Sequence, residues 1–291
     1  MEQSIGSDFL TLSKKGKNDW WRILLFILAL TALPTVVSLT LDNIELPTLK
    51  DKENRLTLDI IVEGLAFSIV LIGVFFAVKL IHRRSFSTLN GTSSFKVKEF
   101  LEGLTVWGTL IIIGSILNQQ TQWKYFMDNG LNSSLIFILP ITALAIGIQS
   151  YTEEVVFRGY LLQILSLRIK NVVVLILICS SIFGILHGLD GLASIIGTTI
   201  FGCLFCYIVL KQNNLAFATG VHLIHNFMFI YVLADRDPID NNDFLKFDPM
   251  EYSILTGQFL LLYAYIKYKD FKTKEKLIIE RRNWSKVTEI D

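Results

Sequence analysis

The stretch YTEEVVFRGY, residues 151–160, places two adjacent carboxylates and an arginine inside an apolar run that extends from Ser134 to Leu167. A charged side chain near the centre of a bilayer costs about 2.5–3.5 kcal/mol on insertion scales. Membrane proteins keep such groups where they are paired or where they serve a function. The stretch therefore predicts a functional site within a membrane-spanning helix.

Helical spacing separates the roles of these three charges. Neighbours on an α-helix point about 100° apart, so Glu153 and Glu154 cannot face the same way. Glu154 and Arg158 are four residues apart and can neutralise each other. Glu153 is then left without a partner in apolar surroundings, which suits a general base. The alternative is a purely structural Glu–Arg clamp with a spare acid at the water interface.

Composition predicts an all-α polytopic membrane protein. The 291 residues are 52% hydrophobic and 18% charged, whereas about 25% of the residues in soluble domains are charged. Repeated apolar stretches of about 17–24 residues have the length of membrane-spanning helices. A net charge of +1 gives no electrostatic reason to expect nucleic acid as a partner.

The predicted fold is a bundle of about eight transmembrane helices. The spans lie at about 22–41, 59–81, 100–117, 134–167, 171–187, 192–210, 215–234 and 252–268. Basic residues concentrate at the N-terminus, in the loop around Arg83, at 168–170, at Lys211 and in the tail 269–291. By the positive-inside rule, this side faces the cytoplasm. We therefore expect a multi-pass protein of the cell membrane with both termini and the charged tail in the cytoplasm.

Two later spans also carry polar residues. His187 closes the fifth span, where a lone histidine is often an interfacial hydrogen-bonding residue. Phe183 lies four residues earlier on the same face and can shield the imidazole from lipid. Gly184 and Gly188, four residues apart, would allow close approach of a neighbouring helix.

The seventh span places His222 and Asn226 on one face, with His225 close to it. Polar groups on an apolar helix are costly unless they meet other polar groups. We therefore expect the fourth, fifth and seventh helices to converge on one buried polar pocket. A glutamate and two histidines, Glu153, His187 and His222, could hold a zinc ion or a water nucleophile there.

The remaining reactive residues have simpler interpretations. Cys179, Cys203 and Cys206 all lie in apolar runs, so the CxxC formed by the last two is interpreted as part of a buried helix. No disulfide framework is expected. His82 adjoins two arginines at a membrane edge and is interpreted as a residue without a special role.

Three motifs together resemble a known family. Glu153-Glu154-x-x-x-Arg158, Phe183-x-x-x-His187 and His222-x-x-x-Asn226 are similar to the motifs of the CAAX-protease and bacteriocin-processing (CPBP) family. These intramembrane proteases are related to the type II CAAX prenyl endopeptidase. The resemblance covers about 134–233, the expected protease core of a single membrane domain, 1–291.

The resemblance implies roles for the motif residues. Glu153 would activate a water, and His187 would assist as a second acid/base or water-orienting group. His222 and Asn226 would stabilise the oxyanion, while Glu154 and Arg158 would hold the site. Family members have been treated both as metalloproteases and as glutamate-dependent enzymes, so Zn²⁺ is an expected cofactor only in the first case.

The expected function is hydrolysis of a peptide bond in a membrane-associated peptide or prenylated protein, within the lipid bilayer. One alternative is a non-catalytic membrane regulator or bacteriocin-immunity protein of the same fold. Another is a transporter or proton relay, which also uses intramembrane Glu and His residues. The sequence shows no internal repeat of the kind found in many transporters.

Overall fold

The computed structural model describes residues 5–42, 52–117, 133–188, 191–231 and 249–288. These ranges contain eight long helices, which confirms the predicted all-α membrane fold. They are α1 Trp20–Asp42, α2 Lys52–Leu80, α3 Val97–Leu117, α4 Ser133–Glu154, α5 Val172–Ile185, α6 Leu192–Gln212, α7 Ala216–Tyr231 and α8 Pro249–Thr288. The predicted loops at 118–133 and 235–251 lie almost wholly outside the described residues.

The chain divides into two units, Met1–Lys246 and Phe247–Asp291. The first unit contains α1 to α7, and α8 belongs to the second. Helix α8 continues through most of the segment predicted as a tail, because its helical residues extend to Thr288. The division into one membrane domain, a protease core and a tail stays a prediction.

Several helices have the length and apolar composition needed to cross a membrane. Among the described residues, three segments meet both requirements: Thr57–Leu80, Val97–Leu117 and Ser194–Gln212. Trp20–Leu33 and Val172–Ile185 are shorter apolar helices. These segments support the membrane environment that composition predicted.

Close helix contacts are made where glycine exposes the backbone. A Cβ on Gly184 of α5 would lie 2.6 Å from the carbonyl oxygen of Ile195 on α6, and one on Gly188 would lie 3.2 Å from the Ile195 Cδ1 atom. This confirms that the two glycines lie against a neighbouring helix. The contact fixes α5, and with it the backbone that carries His187.

The basic loops of the first unit meet at one end of the bundle. The backbone N–H of Phe9 donates to Asn213 Oδ1 at 3.2 Å, and that of Lys17 donates to the His82 carbonyl at 2.8 Å. The hydroxyl of Ser166 donates to the Leu10 carbonyl at 3.5 Å. These contacts place the loops on a common side, as the charge pattern predicted. The assignment of that side to the cytoplasm stays a prediction.

A π-helix follows α4 directly. It runs from Val155 to Leu162, so the α-helical spacing that the sequence predicted for this segment is wrong there. π-Helical segments are rare and occur frequently at functional sites. Gly159 lies against the short helix Ser87–Asn90 that precedes α3, and a Cβ at this position would be 2.8 Å from the Leu89 carbonyl oxygen. The π-helix begins one residue after Glu154, at the edge of the candidate site.

Candidate active site

Glu154 is the centre of a buried polar cluster. Its Oε1 atom accepts a hydrogen bond from Arg158 Nη1 at 3.0 Å and another from His222 Nδ1 at 2.9 Å. Glu154 and Arg158 are fully buried, and His222 is 5% exposed. A buried charge needs a partner to offset its lost hydration. Glu154 therefore neutralises Arg158 and also ties α4 to α7.

Aromatic rings surround the Arg158 guanidinium. Its Cζ atom lies 4.3 Å from the ring centroid of Phe183 and 5.0 Å from that of Phe205. A desolvated guanidinium over an aromatic face gains about 2 kcal/mol. In the described part of the chain, Arg158 Nε and Nη2 have no hydrogen-bond partner. The arginine is thus held by one carboxylate and by ring faces, which suits a fixed structural cation.

The second carboxylate faces the other nitrogen of the same histidine. Glu153 Oε2 lies 3.6 Å from His222 Nε2. Because Glu154 accepts the hydrogen on Nδ1, the neutral His222 ring carries no hydrogen on Nε2. Glu153 is 7% exposed, and its Oε2 accepts no hydrogen bond from any described residue. In that neutral form of His222, two hydrogen-bond acceptors face each other at the core of the site.

Packing fixes the orientation of the His222 ring. It stacks on Phe205, with centroids 5.1 Å apart and an interplanar angle of 27°. Phe183 meets it edge-on at 6.2 Å. Together with the Glu154 hydrogen bond, these contacts direct Nε2 towards Glu153.

His187 lies next to this cluster but is not hydrogen-bonded to it. Its Nδ1–H donates to the Phe183 carbonyl at 2.8 Å, which leaves Nε2 as an acceptor in the neutral ring. The ring is half-buried and lies 4.7 Å from the Phe183 ring, which also touches His222. The structure thus brings Glu153, Glu154, Arg158 and His222 into direct contact and His187 to within one aromatic ring of them.

The two other polar residues of α7 differ in their surroundings. Asn226 is half-buried one turn after His222, and within the described residues its side chain makes no hydrogen bond. His225 accepts a hydrogen bond from Trp107 Nε1 at 3.4 Å and packs against the Phe201 ring at 4.2 Å. His225 therefore belongs to an aromatic cluster, which separates it from the polar cluster around Glu154.

The residues expected to bind zinc do not form a complete set. No group of three His, Cys, Asp or Glu side chains in the described part of the chain is placed to hold a metal ion. Glu153 and His222 provide two neighbouring donors, whereas zinc sites use three or four protein ligands. The triad of Glu153, His187 and His222 does not fit a zinc site in this geometry, and zinc binding stays a prediction.

A second buried polar cluster was missed by the sequence interpretation. His82, which the sequence interpretation placed at a membrane edge without a special role, is fully buried. Its Nδ1–H donates to the Lys17 carbonyl at 2.8 Å, and its Nε2 accepts from the Tyr160 hydroxyl at 2.9 Å. Burial lowers the pKa of His82 and lowers that of the adjacent Arg84 to about 10. Because Tyr160 belongs to the π-helix, this cluster ties the N-terminal segment to the candidate site.

The cysteines lie where the sequence placed them. Cys179 and Cys206 are buried in α5 and α6, Cys203 is half-buried, and all three are free thiols. Cys203 and Cys206 lie within one continuous helix rather than at a turn. The helical interpretation of the CxxC is confirmed.

The segment that carries the candidate site matches the model of a known protein family. Residues 132–228 match the family model described as "Type II CAAX prenyl endopeptidase Rce1-like". This segment resembles that family, and we refer to it below as the Rce1-like core. The match confirms the family resemblance predicted from the three motifs, and it supports a protease. The Rce1-like core, residues 132–228, contains all six candidate residues: Glu153, Glu154, Arg158, His187, His222 and Asn226.

One curated relative extends beyond the Rce1-like core. The chain is 23% identical over 189 residues to the uncharacterized protein YyaK of Bacillus subtilis (strain 168). The alignment covers 62% of this chain and 63% of YyaK. The comparison found no matching solved structure.

Proposed function

We propose that the chain is an intramembrane endopeptidase in which Glu153 activates a water molecule for attack on a peptide carbonyl. The contact that carries this proposal is the 3.6 Å approach of Glu153 Oε2 to His222 Nε2. Both atoms are acceptors, and a water molecule has the two donor hydrogens that would satisfy them together. A water oriented by two acceptors inside a buried site is poised for deprotonation.

In the proposed reaction, Glu153 acts as the general base. It takes one proton from water while the water oxygen forms a bond to the peptide carbonyl carbon. His222 Nε2 accepts the second hydrogen and so directs the oxygen lone pair. The proton held by Glu153 then passes to the amide nitrogen, and the C–N bond breaks to leave a carboxylic acid and an amine. The acid gives its remaining proton, which came from the attacking water, to the amine, so the products are a carboxylate and an ammonium. The proton balance closes with Glu153 again ionised.

Glu154 and Arg158 act by positioning rather than by touching the substrate. Glu154 holds the Nδ1–H tautomer of His222, which leaves Nε2 free to accept. Arg158 pairs with Glu154 through a 3.0 Å contact inside the helix bundle and so holds its Oε1 in place. The sequence predicted His222 as an oxyanion donor. We assign it to the water instead, because Glu154 accepts the only hydrogen on its neutral ring.

Asn226 and His187 complete the proposed site. The Asn226 amide carries donor hydrogens and lies one turn from His222, so we assign it to the developing oxyanion. His187 Nε2 has no hydrogen-bond partner among the described residues, and we assign it to proton exchange with the leaving amine. Both roles need a substrate in the site, since neither side chain is in direct contact with Glu153 here.

The proposed substrate is a membrane-associated peptide or a prenylated protein. The family description names a CAAX prenyl endopeptidase, and a helical site within the bilayer is reached by chains that already partition into lipid. We therefore expect activity on peptides presented from a membrane rather than on soluble proteins.

Cleavage in proteoliposomes tests the proposal. The full-length protein would be incubated with decapeptides that carry an S-farnesyl cysteine or an unmodified cysteine, with products identified by mass spectrometry. Wild type is expected to cleave, Glu153→Ala is not, and Glu99→Gln serves as a matched control from an ion pair at the start of α3. Equal cleavage by wild type and Glu153→Ala would remove Glu153 from the mechanism and favour the non-catalytic alternative.

A further inference from the structure

An acidic residue in α2 lies beside the candidate site. Glu63 belongs to the apolar segment Thr57–Leu80 and is exposed on the surface of the protein. Its Oε1 atom accepts a hydrogen bond from Gln149 Nε2 at 3.2 Å. Gln149 lies in α4, four residues before Glu153 and hence on the same side of that helix. The pair Glu63–Gln149 therefore borders the approach to Glu153.

A close backbone contact fixes this position. A Cβ on Gly64 would lie 2.5 Å from Ala145 Cβ and 2.8 Å from Ala145 Cα, so α2 and α4 touch where Gly64 has no side chain. One further contact lies nearer the site, where the Thr152 hydroxyl lies 3.4 Å from the Phe67 carbonyl. Glu63 is thus held beside the turn that precedes Glu153 by packing rather than by its own charge.

The carboxylates around the site exceed the cations available to them. The carboxylates of Glu63 and Glu153 are near enough for their negative charges to repel each other. Across the described ranges of the chain, no lysine, arginine or histidine forms an ion pair with Glu63. Arg158 is already engaged by Glu154. An acid in a membrane-spanning segment is costly unless it meets a partner or water.

Glu153 provides a second observation that points to a ligand in the neighbouring candidate site. Its side chain is more than nine-tenths buried, and its Oε2 accepts no hydrogen bond from the described residues. A substrate that reaches this atom from the α2 side passes the exposed Glu63 carboxylate. The two acids would therefore contact neighbouring parts of one bound peptide.

We infer that Glu63 is a specificity-determining residue that binds a cationic group of the peptide substrate. The group is an ammonium or guanidinium, supplied either by a lysine or arginine side chain or by a free N-terminus. Gln149 positions Glu63 by donating to Oε1, and this leaves Oε2 for the cation. The inference rests on the proposed peptidase function and adds a charge preference to it.

A matched peptide panel in proteoliposomes tests the preference. The S-farnesyl decapeptide library would be prepared with lysine, norleucine or glutamate at randomised positions. Norleucine keeps the apolar stem and lacks the ammonium, and glutamate carries the opposite charge. Each form would be made with a free and with an acetylated N-terminus, which distinguishes the two sources of the cation. Cleavage rates would be compared for wild type, Glu63→Gln, Glu63→Lys, Glu153→Gln and the control Glu99→Gln.

We expect wild type and Glu99→Gln to cleave one cationic form about tenfold faster than its neutral counterpart, the scale of one partly desolvated ion pair. Glu63→Gln should remove this preference while the neutral peptides are still cleaved, and Glu63→Lys should reverse it towards glutamate-containing peptides.

Equal cleavage rates for cationic and neutral peptides in wild type would overturn the inference. A preference for cationic peptides that survives in Glu63→Gln would also overturn it. If cleavage persists undiminished in Glu153→Gln, or wild type cleaves nothing, the proposed function fails and the inference falls with it.

Discussion

The Nδ1 atom of His222 lies 2.9 Å from Oε1 of Glu154, between residues 68 positions apart in the sequence. The contact joins α4 to α7 and sets the tautomer of the histidine. The contact also shows that the two adjacent glutamates face different nitrogens of the His222 ring. Glu154 faces Arg158 and the Nδ1 side of the ring, while Glu153 faces Nε2.

Removal of Glu154 should destabilise the fold, because Arg158 would remain charged and buried. We expect Glu154→Leu to lower the free energy of unfolding by about 3–5 kcal/mol, as in other broken buried pairs. The double variant Glu154→Leu/Arg158→Met should recover most of that loss. Titration with SDS in a mild detergent measures the free energy of unfolding of the single and the double variant.

The matched control for this prediction is the half-buried pair of Lys96 and Glu99 near the surface, whose Nζ and Oε1 atoms are 3.0 Å apart. Since surface ion pairs contribute about 0–1 kcal/mol, Glu99→Gln should be nearly neutral. A Glu154→Leu variant as stable as Glu99→Gln would contradict the role of Glu154 as the counter-ion of Arg158.

Substitution of Gly184 should separate α5 from α6. The added Cβ of Gly184→Ala would lie 2.6 Å from the Ile195 carbonyl oxygen, so the backbones must shift. We expect a loss of about 1–3 kcal/mol in the free energy of unfolding, together with reduced peptidase activity because His187 follows two residues after the end of α5. Gly197→Ala, with no atom within 4 Å of its new Cβ, should be neutral or stabilising by up to about 1 kcal/mol. Equal effects of the two substitutions would exclude the close contact.

Stability should depend on pH through His82. Burial holds the pKa of His82 below its ordinary value, so the unfolded chain takes up a proton first as the pH falls. The free energy of unfolding should therefore decrease as the pH falls below about 6.5, and this stabilisation is fully present only above that range. Unfolding measured from pH 8 to pH 5 should show a shallower decrease in His82→Gln than in wild type. Identical pH profiles for the two proteins would rule out the effect.

The sequence predicts the fold and the polar cluster because both follow from local sequence patterns. Apolar length indicates the helices, and intervals of four residues predict the Glu154–Arg158 pair. The cost of burying polar groups predicts that His222 meets the glutamates. Each of these inferences uses only spacing and the properties of a bilayer.

What the sequence does not predict depends on tertiary contacts. The π-helix after Glu154 accompanies the packing of Gly159 on the Leu89 carbonyl, and no local pattern encodes that contact. His82 is buried because the N-terminal segment folds over it and supplies the Lys17 carbonyl. Glu63 could have been noticed as an acid in an apolar span, but only the structure places it beside Gln149.

The most direct test of the central claim is hydrolysis in water enriched in ¹⁸O. Wild type and Glu153→Gln in proteoliposomes would be given the S-farnesyl peptides, and the new C-terminal carboxylate would be analysed by mass spectrometry. If Glu153 activates water, the wild-type product carries one ¹⁸O atom and Glu153→Gln forms product at least about 100-fold more slowly, as expected for loss of a general base. Equal rates of ¹⁸O-labelled product formation by the two proteins would contradict the account.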